Sequence, residues 1–296
     1  MLEKLSQPLN ELIMKNRFIL FFALIAVLAA SFSIFADDKL SAEEIIAKHL
    51  NSIGTAEIRN QTKSMIGVGD VAVIYISQKN MTSQGRIVMA SAGEKNFMGM
   101  NLNGIDYPLE KFSFDGKKVK VAYVRPGVRS LLGNFVVTNG MLLQDSLLGG
   151  TLSTSWALLN LSGNKAKISS DGTKKIEGKE TYILGYSTKG NNDFNIKLYF
   201  DKGNFQHLRT EYNKIFSAGI GTSPEQSSRF SESRLKITEN FSDYKSQNGL
   251  NLPQNYTLNY SIIGQNGTTE IEWKFNFIQF AFNQKFDDKT FDAEAN

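Results

Sequence analysis

Apolar residues recurring at every second position, cut at intervals by Asn-Gly and Asp-Gly dipeptides, restrict this chain's fold more than any other feature. Ile66 and Val68, then Val71, Val73 and Tyr75, alternate with small or polar residues, as a strand with one buried face requires. The rhythm returns at Phe112 and Phe114, at Val119, Val121 and Tyr123, and at Ile196, Leu198 and Phe200. It closes the chain at Tyr256, Leu258, Tyr260 and Ile262, then at Ile271, Trp273, Phe275 and Phe277. Asn103-Gly104, Asp115-Gly116, Asp171-Gly172, Asn248-Gly249 and Asn266-Gly267 punctuate these runs, and such dipeptides accept the positive φ angles of tight hairpins. The pattern predicts a mainly β, antiparallel meander.

One segment breaks the rhythm. From Arg125 to Leu161 the chain is nearly uncharged and leucine-rich, with Pro126-Gly127, Leu131-Leu132, Met141-Leu142-Leu143, Leu147-Leu148, Gly149-Gly150, Leu152, Trp156 and Leu158-Leu159. Asn139 is expected to cap a short helix holding Leu142, Leu143, Leu147 and Leu148. Gly149-Gly150 would end it, and Thr151 or Ser153 would start a second helix with Trp156 and Leu159. Such an insert is either a permanent plug of the β core or a displaceable lid hinged at the glycines. The 21 Phe and 10 Tyr carry the same choice, an ordinary aromatic core or a concave sheet with room for acyl chains. In the second case Leu142, Leu147, Leu148, Leu152 and Trp156 of the insert, with Trp273 and Phe275 of the last strand, form the apolar binding surface.

The amino terminus reads as an export signal. Lys15 and Arg17 precede an apolar run from Phe18 to Phe35 and a cleavage point after Ala36. Met14 is an alternative start, and a retained membrane anchor is the alternative fate, since about 18 apolar residues just reach across a bilayer core. Residues 1–36 are thus expected to leave, and 37–296 to form one domain. Ser41-Ala42-Glu43-Glu44 is a capping-box pattern, followed at helical spacing by Ile45, Ile46, His49, Leu50 and Ile53, with Gly54 as a stop. Residues 217–233, rich in Gly and Ser, predict a loop.

Searching for chemistry gives mostly exclusions. The chain has no cysteine, so neither disulfides nor thiolate metal sites are available. Its two histidines, His49 and His207, lie far apart in sequence without ligand spacing, and no metal or cofactor is expected. No nucleophile elbow, phosphate loop or zinc-protease motif occurs, and the adjacent carboxylates Glu43-Glu44 and Asp287-Asp288 read as solvated charge. The chain carries 33 basic and 29 acidic residues, without the clustered basic surface that nucleic-acid binding calls for. An enzyme is not expected.

The order of elements resembles the periplasmic lipoprotein-sorting (Lol-type) carriers of Gram-negative bacteria, as a divergent, enlarged member. The matching stretches are Leu40-Ser41-Ala42-Glu43-Glu44-Ile45, Phe112-Ser113-Phe114-Asp115-Gly116, the apolar insert, Leu198-Tyr199-Phe200-Asp201 with Phe205, Phe241-Ser242-Asp243-Tyr244, Asn248 to Pro253, and Phe286 to Phe291. The resemblance implies a strongly bent antiparallel sheet forming an incomplete barrel, covered by short helices inserted between strands. It also implies a periplasmic, non-enzymatic protein that holds a lipid or lipoprotein acyl chains, with inner- or outer-membrane envelope partners. Those carriers fasten the lid with an arginine that the corresponding stretch here, Ala92 to Asn96, lacks. Arg125 and Arg129, flanking the insert, are the alternative fasteners, through helix-end carbonyls. The competing reading is a scaffold or interaction module of an envelope complex, with a filled core and no ligand.

Overall fold

The computed structural model describes residues 40–78, 81–188, 193–218, 232–265 and 267–295. The expected signal, residues 1–36, and most of the loop 217–233 lie outside the described residues.

Ser41 opens helix α1, Ala42–Ile53, with both bonds of the capping box: the Glu44 amide donates to Ser41 Oγ at 3.2 Å, and the Ser41 amide donates to the Glu44 carboxylate at 2.8 Å. Its buried face carries Ile45, Ile46, His49 and Ile53. Helix α2, Ala56–Gln61, is capped by Thr55. The strands follow as β1 Ser64–Tyr75, β2 Met81–Ala92, β3 Lys95–Leu102, β4 Leu109–Phe114 and β5 Val119–Val121. After the insert come β6 Lys167–Ile176, β7 Lys179–Ser187, β8 Asn195–Asp201, β9 His207–Phe216, β10 Ser233–Gln247, β11 Leu250–Gly264 and β12 Gly267–Phe282.

All twelve belong to one sheet, in the order β5-β4-β3-β2-β1-β12-β11-β10-β9-β8-β7-β6. Each pairing is antiparallel, and β12 returns to pair with β1 at the centre. Among the described residues the sheet is open: its edges, β5 and β6, do not pair with each other. The insert is the connection between those two edges, so it has to cross a face of the sheet. That face is the apolar one, where Phe200, Phe241, Tyr256, Trp273, Phe275 and Phe277 are buried.

Asp171-Gly172 does not make a hairpin; it lies within β6, where the register with β7 shifts between Ser170 and Thr173. The hairpin is made two residues past the exposed part of that strand by Glu177 (φ 49°) and Gly178 (φ 86°), the doubly left-handed geometry that twisted two-residue turns need. A bulge absorbs the extra residue on β6. Asn248 (φ 52°) and Gly249 (φ 79°) do form the expected turn between β10 and β11.

In β1 the inward residues are Met65, Gly67, Gly69, Val71 and Val73, so Ile66 and Val68 have the opposite parity and only half-buried side chains. Two glycines keep the inner face of this strand thin while the apolar side chains beside them turn outward. At the same height β12 skips Ile278 in its register with β1 and leaves it exposed.

Candidate functional site

The insert begins where Ser130 caps helix α3, Leu131–Thr138, its Oγ accepting the Gly133 amide at 2.7 Å. Asn139 does not start the next helix. Its side-chain amide donates back to the Phe135 carbonyl at 2.8 Å and so ends α3, and helix α4, Met141–Gln144, follows from Gly140. Beyond it are two single 3₁₀ turns, Gly150–Leu152 and Ala157–Leu159, in place of the second α-helix expected around Trp156. An insert that is apolar nearly all round offers no period from which to read its helix ends.

Leu142, Leu147, Leu148, Leu152 and Trp156 are all buried, as is Phe275 beneath them. Beside Trp156 the remaining space is about 40 Å³. Below the insert an aromatic row crosses five strands, Phe200, His207, Phe241, Tyr256 and Phe275, with successive ring centroids 5.4, 4.6, 5.1 and 4.9 Å apart. Trp156 stacks on His207 at 5.0 Å. Stacked and tilted ring pairs of this kind add to the energy of area burial.

Polar contacts from four side chains outside it, Glu239, His49, Asn96 and Ser91, tie the middle of the insert down. The Gly149 amide donates to Glu239 Oε1 at 2.7 Å, and the same buried carboxyl accepts Tyr212 and Tyr256 hydroxyls, each at 2.7 Å. Burial drives the Glu239 pKa up to about 7 against those three donors. The Trp156 indole donates to His49 Nε2 at 3.0 Å while His49 Nδ1 lies 2.9 Å from the Phe205 carbonyl. That pair of contacts fits a neutral ring with its proton on Nδ1, and burial holds the His49 pKa down at about 4. Asn96 Nδ2 donates to the Leu143 carbonyl at 3.0 Å and to Ser146 Oγ at 3.2 Å. Finally, the Thr154 amide donates to Ser91 Oγ at 2.9 Å.

The histidines, distant in sequence, meet at a ring separation of 6.0 Å. His207 Nε2 is 2.9 Å from Thr210 Oγ1, the spacing of a base and a hydroxyl nucleophile. Both residues are fully buried, and Trp156 and Phe241 close over the ring, so the pair has structural geometry. Gly150 is confined against it: with φ at +50°, a Cβ there would lie 2.9 Å from His207 Nδ1 and 3.1 Å from Phe241. Among the described residues no cluster of three or more His, Asp or Glu could hold a metal ion.

An open cavity of about 520 Å³ lies at one end of the insert, between the ends of β1, β2 and β12, the β3–β4 loop and the segment 124–131. Its walls include Tyr75, Tyr107, Val124, Leu131, Ile271 and Trp273. A chain of hydrogen bonds stiffens one side. The Trp273 indole donates to the Tyr107 hydroxyl at 3.3 Å, and that hydroxyl donates to Glu110 at 2.6 Å. Ser130 Oγ bonds to the same carboxyl, whose pKa burial raises to about 7. The cavity wall is thereby joined to the cap of α3.

Arg125 and Arg129 both line this cavity, but neither bonds a helix-end carbonyl among the described residues. Arg125 pairs with Asp106 at 2.9 Å. Arg129 donates through Nε to the Val121 carbonyl of β5 at 3.1 Å and lies 4.0 Å over the Tyr123 ring. They flank the insert in sequence and brace its first segment against strand β5 and the β3–β4 loop. Asn96, inside the stretch without the arginine, is the side chain that reaches the end of a helix.

No family model matches the chain, and no curated protein matches it. Solved structures do. The LolA superfamily protein NE2245 from Nitrosomonas europaea is 13% identical, with 85% of this chain and 97% of that chain covered at a TM-score of 0.46. A putative outer membrane lipoprotein-sorting protein domain from Vibrio parahaemolyticus is 12% identical, covering 83% and 95% at 0.44. A DUF1329 family protein from Desulfovibrio piger is 9% identical, covering 85% and 97% at 0.40. A fold hosts many functions, so the chemistry of this site rests on its own side chains.

Proposed function

We propose that this protein is a non-enzymatic component of the bacterial envelope that binds a lipid or the acyl chains of a lipoprotein, in the manner of outer-membrane lipoprotein sorting. The observation that carries the reading is the 520 Å³ cavity walled by Trp273, Ile271, Tyr75 and Leu131, within the roughly 300–1,000 Å³ of ordinary ligand sites. Export to the periplasm as one domain, residues 37–296, rests on the signal pattern at Lys15 to Ala36. Among the described residues no helix is long and apolar enough to cross a membrane.

Energetics favour a ligand beside the insert over one beneath it. Lifting the insert would expose Leu132, Phe135, Leu142, Leu147, Leu152 and Trp156. At about 1.5–3 kcal/mol each, these side chains alone amount to roughly 9–18 kcal/mol. An acyl chain of about a dozen methylenes returns about 10 kcal/mol, and four polar ties would break as well. The insert therefore serves as a plug, and Trp273 is the member of the expected binding set that meets the ligand. Extraction and mass spectrometry of lipid from protein purified out of its native envelope tests the reading: a stoichiometric single-class lipid is expected, and lipid-free protein with full envelope function would overturn it.

The filled space around Trp156 favours a second reading, a scaffold without ligand. Cross-linking in the envelope distinguishes the two, since a scaffold yields one stable protein partner whether or not lipid is present.

A further inference from the structure

We propose that the cavity selects a single-chain anionic amphiphile, its chain against Trp273 and Ile271 and its carboxylate or phosphate head on Arg129; this rests on the apolar-ligand reading above. A guanidinium has five N–H donors, and Arg129 spends Nε on the Val121 carbonyl while its plane covers Tyr123. The donors left are those of the two terminal nitrogens, which can grip a carboxylate or phosphate oxygen pair. Among the described residues Arg129 has no ion pair; of the other charges of the cavity wall, Arg125 and Asp106 neutralise each other, and Glu270, also without an ion pair, is held by the neutral Asn259 side-chain amide at 3.1 Å. Arg129 is half-buried, so a bound chain would strip it of more water, and an anionic head restores what a neutral one cannot.

Apolar surface continues outward from the cavity. Ile105 is 93% exposed and Met81 61%, with Val128 and Leu131 also exposed, and all four line the cavity. A chain can thus pass from the rim to the indole of Trp273 in contact with apolar groups throughout, with its head left at the level of Arg129. Isolated exposed apolar side chains need no explanation, but a cluster around a cavity does.

Titration calorimetry with dodecanoate, dodecyl phosphate and neutral 1-monolaurin tests this with the chain length held fixed. An anionic head is expected to bind about tenfold or more tighter than monolaurin at low salt, the scale of one charge-assisted hydrogen-bonded contact. Added NaCl should shrink that preference in the unaltered protein, and Arg129→Gln should reduce it to about twofold. A preference confined to dodecanoate points to fatty acids, and one confined to dodecyl phosphate to phospholipid head groups. Monolaurin binding as tightly as both anions overturns the proposal and leaves the apolar-ligand reading standing. So does an unchanged preference in a folded Arg129→Gln protein. If none of the three binds, the apolar-ligand reading itself fails.

Discussion

Glu239→Gln isolates the contact that joins the insert to the middle of the sheet. In the folded protein the Glu239 carboxyl has its pKa raised to about 7 by burial, from an ordinary 4.5. Below pH 4.5 the group is protonated in both folded and unfolded chains and costs nothing. As pH rises from 4.5 to 7 the unfolded chain gives up this proton first, so stability falls. Above pH 7 the penalty levels off at on the order of 3 kcal/mol. Glutamine keeps an oxygen for the Gly149 amide and removes the ionisation. Relative to the unaltered protein, Glu239→Gln should therefore gain about 2–3 kcal/mol between pH 5 and pH 8, read from urea unfolding at each pH. The comparison has to be a difference between the two proteins, because the buried histidines act in the opposite sense. His49 and His207 have lowered pKa values, so the stability they contribute is present above about pH 6.5 and is lost as pH falls. Glu239→Ala strands the Gly149 amide and two tyrosine hydroxyls and should cost about 3–5 kcal/mol at pH 5, and about 2–3 kcal/mol less at pH 8, because it too removes the ionisation. A Gln-minus-Glu difference that does not change with pH would refute the picture of a buried carboxyl under the insert.

Leu147→Asp should unfold the domain, because Leu147 is wholly buried and an unpaired carboxylate there costs several kcal/mol; a protein with an unaltered urea midpoint that merely fails to retain ligand would identify the insert as a lid. Asn96→Ala removes the bonds to Leu143 and Ser146 and should lower stability by about 1–3 kcal/mol, with hydrogen exchange rising first in residues 141–146. Gly150→Ala should destabilise by more than about 1 kcal/mol, since the added methyl meets His207 and Phe241 at a positive φ; a neutral result in thermal unfolding would show that the glycine pair is free to move.

Strand identity was legible where one face alternates cleanly. Phe112 with Phe114, Ile196 to Phe200, and Ile271 to Phe277 are buried as their spacing predicts. The capping box of α1 was equally legible, because it is a local code. Polar edge strands were not: β6 is exposed over most of its length, and nothing in Lys167–Ile176 alternates by hydrophobicity. The buried carboxyls left a signal that charge alone concealed. Leu235, Ile237, Glu239 and Phe241 share one parity of β10, and Glu110, Phe112 and Phe114 share one parity of β4. A glutamate in register with an apolar face marks a buried acceptor in search of donors. Likewise His49 falls on the same helical face as Ile45, Ile46 and Ile53. Its partner, Trp156, comes from 107 residues away, a contact that follows from topology and that no local pattern encodes.

Where an acyl chain lies is the central claim, and tryptophan quenching by dodecanoate brominated at its tail reads it directly, because the two indoles mark the two candidate places. Trp273 lines the open cavity, and Trp156 lies under the insert against His207. Emission of the unaltered protein and of Trp156→Phe should be quenched on titration, while Trp273→Phe should be insensitive. Quenching that survives in Trp273→Phe and vanishes in Trp156→Phe would put the chain beneath a displaced insert and contradict the account.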